Sequence, residues 1–215
     1  WPEHIKDLKT LDPCCGSGHF LVALFLMLVP MRMQLEQLDA KSAIDKVLQE
    51  NLHGLELDGR CIEIAAFTLA LEAWRYPNAG GYRNLPKFQL ACSGQSVEAA
   101  TQEWQQLAKQ NPELNTAFTW LKHQFKDAPV LGSLIDIKRA HYEGKEHGLP
   151  APWKQLLAAQ TNGDLDSQDV QVTAQGMALA AKLLAGSYHL VATNVPYLKA
   201  GDQCETLKTF SEKYF

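Results

Sequence analysis

"LDPCCGSGHF", Leu11 to Phe20, is the stretch that decides how this chain is read. An acid, a serine and two glycines follow directly on a short apolar run, with a long apolar segment behind them. Lys9 to Pro13 reads as a strand, and Gly18 to about Gln34 as a helix, apolar nearly all round and so expected to be buried on most sides. Between them, Gly16 and Gly18 let the backbone turn sharply and approach a ligand, while the helix that follows presents free N–H groups. A pyrophosphate site wants a third glycine, where this chain has Leu21. The turn therefore suits a ligand that needs close approach but carries no phosphates. A plain strand-to-helix turn has the same letters, so the rest of the chain must decide.

Working outward, Ala40 to Asn51 reads as a second helix and Leu52 to Leu57 as a second strand, ending in an acid. Asp58 is placed to cap the next helix, whose buried face is Ile62, Ala65, Ala66, Leu69 and Ala73. Lys87 to Ser93 gives a third strand and Tyr188 to Thr193 a fourth. Helical stripes at Val97–Leu107 and Leu114–Phe125, loops at 149–153 and 161–169, and a helix over 170–184 fill the interval. Strands alternating with helices imply an open, mostly parallel α/β sheet, with a helical insertion before the fourth strand. The expected division is 9–96 as a ligand-binding half, 97–186 as the insertion, and 187–215 as the fourth strand with the start of a second half.

Bulk properties narrow the classes. The 215 residues are 46% hydrophobic and 20% charged, which suits an ordinary globular core. A net charge of −4 argues against a free-standing nucleic-acid binder. Cys14, Cys15, Cys61, Cys92 and Cys204 form no C-x-x-C pair, so neither a disulfide framework nor a zinc site is expected, and the cytoplasm is the expected compartment. The seven histidines do not fall at metal-ligand spacing, and no metal is expected. The apolar run from Phe20 to Met31 is too short to span a bilayer, so no membrane partner is expected. Cys14 and Cys15 have no base nearby in sequence to make either a nucleophile.

Glu56 stands 38 positions after Gly18, at the end of the second strand, where an acid binds two ribose hydroxyls. A solvated surface carboxylate is its plain alternative. Leu57 beside it suits the face of an adenine ring, or simply a core position. The second deciding stretch is "TNVPYL", Thr193 to Leu198, after the fourth strand. Methyl transfer to the exocyclic amine of a base needs two acceptors on its N–H groups, because the lone pair is delocalised into the ring. An asparagine oxygen and a neighbouring carbonyl supply them. Proline directs that carbonyl, and a tyrosine face stacks on a base swung out of its duplex.

These two motifs together resemble the adenine-specific DNA methyltransferases that use S-adenosylmethionine, above all the large enzymes of restriction-modification and BREX-type phage defence. "LDPCCGSGHFLV" resembles their D-P-x-C-G-S-G-x-F-L cofactor motif, "NVPY" their N-P-P-Y motif, "GLELD" their ribose-binding segment, and "FKDAPVLGSL" a stretch of their insertion. The resemblance implies a Rossmann-like core that is part of a longer protein. It implies a methionine-binding turn of Asp12, Pro13, Gly16 and Gly18 with Phe20 nearby, and Glu56 on the ribose with Leu57 beside the adenine. It also implies a base site of Asn194, the carbonyl of Val195, Pro196 and Tyr197. The implied partner is double-stranded DNA with its adenine flipped out, reached through regions partly outside this chain. Self-association, or cover from the insertion, is expected at the sheet edge left bare by a fourth strand that ends the sheet. Two positions depart from the pattern. Val195 stands where proline is usual, and Gln95 stands where an acid usually holds the cofactor's adenine amine. The alternatives are an amine methyltransferase acting on RNA or on a protein glutamine, and a non-catalytic module that binds cofactor or partner only.

Overall fold

A computed structural model describes residues 1–95, 112–137, 165–195 and 199–214. The chain divides into two units, 1–91 with 186–194, and 92–185 with 195–215.

The first unit is built on β1 (Thr10–Asp12), β2 (Leu52–Glu56), β3 (Gln89–Cys92, whose last residue falls in the second unit) and β4 (Leu190–Val191), in the order β3-β2-β1-β4. β1 runs parallel to both neighbours, pairing Leu11 with His53 on one side and with Val191 on the other. This is the expected α/β architecture. β1 is buried along its whole length, since strands covered on both faces bury every residue. All connections from β1 through β3 lead to one side, whereas β4 lies on the other. The strand order therefore reverses between β1 and β4, and the crevice at their carboxyl ends is where such sheets take ligands.

α1 (His19–Glu36) follows the glycine turn and α2 (Ala40–Lys46) follows α1. Asp39 caps α2 by accepting from the Ser42 N–H at 2.8 Å. The expected single helix over 40–51 instead widens into a π-helical turn at Val47–Asn51, which carries Asn51 into the core. α3 (Gly59–Arg75) is capped by Asp58, whose carboxylate accepts from the Arg60 N–H at 2.9 Å. Leu21, Phe25, Val29, Ala43, Ile44, Leu52, Ala65 and Leu69 form the core under the sheet.

α1 departs from expectation: only one stripe is buried, while Met27 is 62% and Leu35 66% exposed. By length and composition alone this helix would pass for a membrane span. Its buried stripe ends, however, in Arg32, which is 1% exposed and donates to Glu36 (2.8 Å), Glu50 (2.6 Å) and Asn51 Oδ1 (3.1 Å). A guanidinium paired with carboxylates from two elements is the geometry of a core helix. Asn51 passes the network on, donating to the carbonyls of Ile5 (2.9 Å) and Leu8 (2.7 Å), and its own carbonyl accepts from the Thr10 hydroxyl (2.8 Å). The start of β1 is thus fixed from three directions.

In the second unit, α4 (Pro112–Gln124), α5 (Ala128–Leu131), α6 (Leu165–Leu184) and α7 (Glu205–Tyr214) are described. Phe118, Leu121 and Phe125 of the expected stripe are buried, with Met177 to Ala181 of α6. The loop expected over 161–169 is overturned from Leu165 onward, where α6 has already begun. The helix expected over 97–110 and the loop at 149–153 lie outside the described residues.

Candidate functional site

The glycine turn is held from β2. The Cys15 N–H donates to the Leu55 carbonyl at 2.9 Å, and the Gly16 N–H donates to Glu56 Oε2 at 2.8 Å. Glu56 Oε1 accepts from the Leu57 N–H at 2.7 Å and the Asp58 N–H at 3.3 Å. Glu56 is therefore neither a loose surface group nor a simple strand terminus; its carboxylate ties the turn to β2.

The two glycines of the turn are required for different reasons. Both have positive φ, +52° at Gly16 and +89° at Gly18. A Cβ on Gly16 would meet nothing within 4 Å, leaving room beside the turn, whereas one on Gly18 would come within 3.1 Å of Ala65 Cα and Cβ. Gly18 thus lets α1 and α3 meet at the turn, and Gly16 shapes the open side. A third glycine, Gly54 on β2, was missed in the sequence reading. A Cβ there would lie 2.7 Å from Leu90 and 2.9 Å from Leu21. A lone glycine inside an alternating strand was the available signal for such close approach.

Asp12 ends β1 at 1% exposure. Its Oδ1 accepts from the Cys14 N–H at 3.2 Å, while Oδ2 is buried without a hydrogen-bond partner among the described residues. Burial raises its pKa above the ordinary carboxylate value. The Thr193 hydroxyl, beside the carboxyl but without closing a hydrogen bond, and the Cys14 N–H pull it down, and the Glu56 charge adds to the rise. A buried carboxylate with an orphaned oxygen fits a cationic or hydrogen-bond-donating ligand group. Cys15 is buried and its thiol is pushed up to about 12, chiefly by burial and then by the Asp12 and Glu56 charges. Burial thus favours the protonated thiol at neutral pH.

Of the expected cofactor residues, Asp12, Pro13, Gly16, Gly18, Glu56 and Leu57 all lie at the carboxyl ends of β1 and β2 or in the turn between β1 and α1, and Phe20 is 44% exposed on the first turn of α1. Leu57, also 44% exposed, is not a core leucine. Asn194 follows β4 in the same unit and is exposed, so it leaves the strand next to the one that ends in Asp12. Val195 and Gln95 belong to the second unit, where Gln95 Oε1 would lie 3.6 Å from a Cβ on Gly176. Pro196 and Tyr197 lie outside the described residues. Among the described residues no three His, Cys, Asp or Glu side chains gather in a way that could hold a metal ion.

Residues 2–83, which contain β1, the turn, β2 and α3, match the family model described as MmeI, DNA-methyltransferase domain. The chain resembles adenine-specific methyltransferases. It is 24% identical, over 99% of its own length, to the adenine-specific methyltransferase PglX of Lacticaseibacillus casei (strain Zhang), covering 17% of that protein. It is 23% identical, over 98% of its length, to the adenine-specific methyltransferase BrxX of Escherichia coli O9:H4 (strain HS), covering 19%. A third such protein, PglX of Streptomyces coelicolor, is 26% identical over 63% of this chain and 12% of its own. The chain therefore spans less than a fifth of the length of the curated relatives it matches. The resemblance read from the two motifs is borne out in kind: the relatives are adenine-specific methyltransferases.

Proposed function

We propose that this chain is the cofactor-binding and base-accepting core of an adenine-specific DNA methyltransferase of the restriction-modification or phage-defence type, using S-adenosylmethionine. The observation that carries this reading is the pairing of β4 directly with β1, which brings Asp12 and Asn194 to the carboxyl ends of neighbouring strands at the point where the strand order reverses.

The residues present fit the cofactor. Asp12, whose Oδ2 has no hydrogen-bond partner among the described residues, suits an ammonium group, the open side of Gly16 admits a ligand close to the backbone, and Glu56 brings a carboxylate, the acceptor that ribose hydroxyls take, to the end of β2. Leu57 is exposed beside Glu56, where an adenine ring would be covered. S-adenosylmethionine supplies, when bound, a methyl group on a sulfonium centre. The chain's own part is positioning and polarisation: Asn194 and the carbonyl of residue 195 accept from the target amine, localising its lone pair toward that methyl. Tyr197 stacks on the base and Pro196 sets the backbone. DNA is the proposed partner.

Isothermal titration of the 215-residue chain with S-adenosylmethionine tests the cofactor half, with heat of binding expected and its loss expected in Asp12→Ala. Transfer of labelled methyl to unmodified double-stranded DNA tests the substrate, against RNA and a glutamine-bearing protein. No heat at millimolar cofactor sinks the proposal. A second reading, a module that binds cofactor without turnover, is favoured by Val195 in place of proline. Gain of transfer in Val195→Pro, with unchanged cofactor heat, is the result it expects.

A further inference from the structure

Asp12 Oδ2 and Thr193 Oγ1 are both buried without a hydrogen-bond partner among the described residues. They belong to adjoining strands. Leu11 pairs with Val191, and the Ala192 N–H donates to the Leu11 carbonyl at 3.0 Å, so the backbone of the two segments is still joined one residue before each side chain. The Thr193 hydroxyl acts on the Asp12 carboxyl and opposes the effect of burial on it. A threonine hydroxyl is a rotatable donor, the group type that a buried carboxylate oxygen accepts. Asn194 comes next in the chain and faces outward. Nothing else described beyond residue 192 ties the exit of β4 to β1.

We infer that Thr193 is a positioning residue: its hydroxyl, held by the Asp12 carboxylate across the β1–β4 seam, sets the backbone from which Asn194 projects. The inference rests on the proposed reading of Asn194 as the acceptor for the target amine. Under it, the two halves of the site are adjusted to each other through a single side-chain pair. A ligand group that takes up Asp12 Oδ2 is felt at Asn194, and a base held at Asn194 is felt at Asp12. Other titratable groups act on Asp12 as well. Glu56 on β2 and the Cys15 thiol of the turn both interact with its charge, and the Cys14 N–H holds its other oxygen. None of these lies on the β4 side; among the described residues it is Thr193 that links the carboxyl to the segment carrying Asn194.

The test is a pH titration of the labelled chain by NMR with no cofactor added. It follows the Asp12 side-chain carboxyl carbon and the Asn194 backbone amide in the wild type, Thr193→Ser and Thr193→Val. In the wild type and the serine variant, both signals are expected to titrate with one shared midpoint. In the valine variant, which keeps the shape and loses the donor, the Asp12 midpoint moves upward and the Asn194 response shrinks severalfold. Asp12→Asn, with Thr193 intact, is expected to abolish the Asn194 response, which identifies Asp12 as its source, and Thr193→Ala repeats the loss of the donor if the valine variant does not fold. An Asp12 midpoint unmoved by valine, or an Asn194 amide that titrates undiminished in either variant, overturns the inference. Calorimetry with S-adenosylmethionine adds a second readout: about tenfold weaker binding in Thr193→Val, the size of one lost hydrogen bond to a charged group, with recovery in serine. If the wild type gives no heat, the methyltransferase reading fails while the titration still decides whether Thr193 couples the strands.

Discussion

Replacing Glu56 by glutamine isolates the clamp on the glycine turn. The carboxylate accepts the Gly16 N–H on one oxygen and the Leu57 and Asp58 N–H groups on the other. A glutamine of the same shape has one acceptor oxygen and one NH2 group. Turned to satisfy Leu57 and Asp58, it points its NH2 at the Gly16 N–H; turned the other way, it abandons two donors. The first choice costs less. It forfeits one hydrogen bond to a charged acceptor, worth about 1.5–3 kcal/mol, and the partial exposure of the side chain places the cost at the lower end, about 1.5 kcal/mol. Amide hydrogen exchange at Gly16 reads this directly: a loss of about 1.4 kcal/mol in local stability is a tenfold loss of protection. Thermal unfolding of the first unit should fall by about 6–12 °C, at roughly 4–8 °C per kcal/mol for a unit of this size. S-adenosylmethionine binding should weaken further, because the same group is proposed to meet the ribose. Unchanged exchange at Gly16 and an unchanged midpoint in Glu56→Gln would refute the clamp.

Other substitutions separate the remaining features. Gly18→Ala suffers both a left-handed φ, about 1–2 kcal/mol, and the clash with Ala65, about 1–3 kcal/mol, whereas Gly16→Ala suffers only the first; chemical denaturation should therefore rank Gly18→Ala as clearly worse. Gly54→Ala, wedged between Leu90 and Leu21, should cost about 1–3 kcal/mol in the same assay with no left-handed strain involved. Arg32→Ala should destabilise by about 3 kcal/mol by leaving Asn51 Oδ1 without its donor and opening the core, and Arg32→Met should recover part of that. The buried Asp12 has a raised pKa, so its fold binds the proton more tightly than the unfolded chain does. Its ionisation costs stability above the folded pKa, and that cost is relieved as pH falls from there toward the unfolded value near 3.8. Asp12→Asn should consequently raise the melting temperature at pH 7 while abolishing cofactor heat; a lower melting temperature at pH 7 contradicts the assigned burial cost.

Much of the site could be read from residue types because its parts are local. Asp12, Gly16 and Gly18 sit within one strand, turn and helix start, and the requirements of such a turn are written in consecutive letters. Glu56 is legible as a candidate in the same way, since an acid at the end of a second strand is a position rather than a contact. What escaped was whatever depends on a partner far along the chain. Thr193 reads as an ordinary strand threonine until β4 is laid beside β1. Arg32 reads as the end of an apolar run, although Glu36 four residues on was a visible partner; the Glu50 and Asn51 contacts need the folded π-turn. The exposed stripe of α1 was misjudged because composition counts apolar residues without saying how many neighbours exist to cover them. The early start of α6 was missed for a different reason: its acidic, polar first turns resemble loop composition and are compatible with a helix only once their place at its amino end is known.

The bond from Gly16 to Glu56 joins residues 40 positions apart, and it has a consequence for how the protein is made. As the chain emerges during synthesis, the glycine motif appears first and can take no lasting shape, since the group that secures it has not yet been added. Closing so long a segment carries an entropic cost that only the assembled β1–β2 pair repays. The binding turn is thus a late product of folding although it lies early in the sequence, and a nascent chain stopped short of Leu52 would carry the signature without the shape.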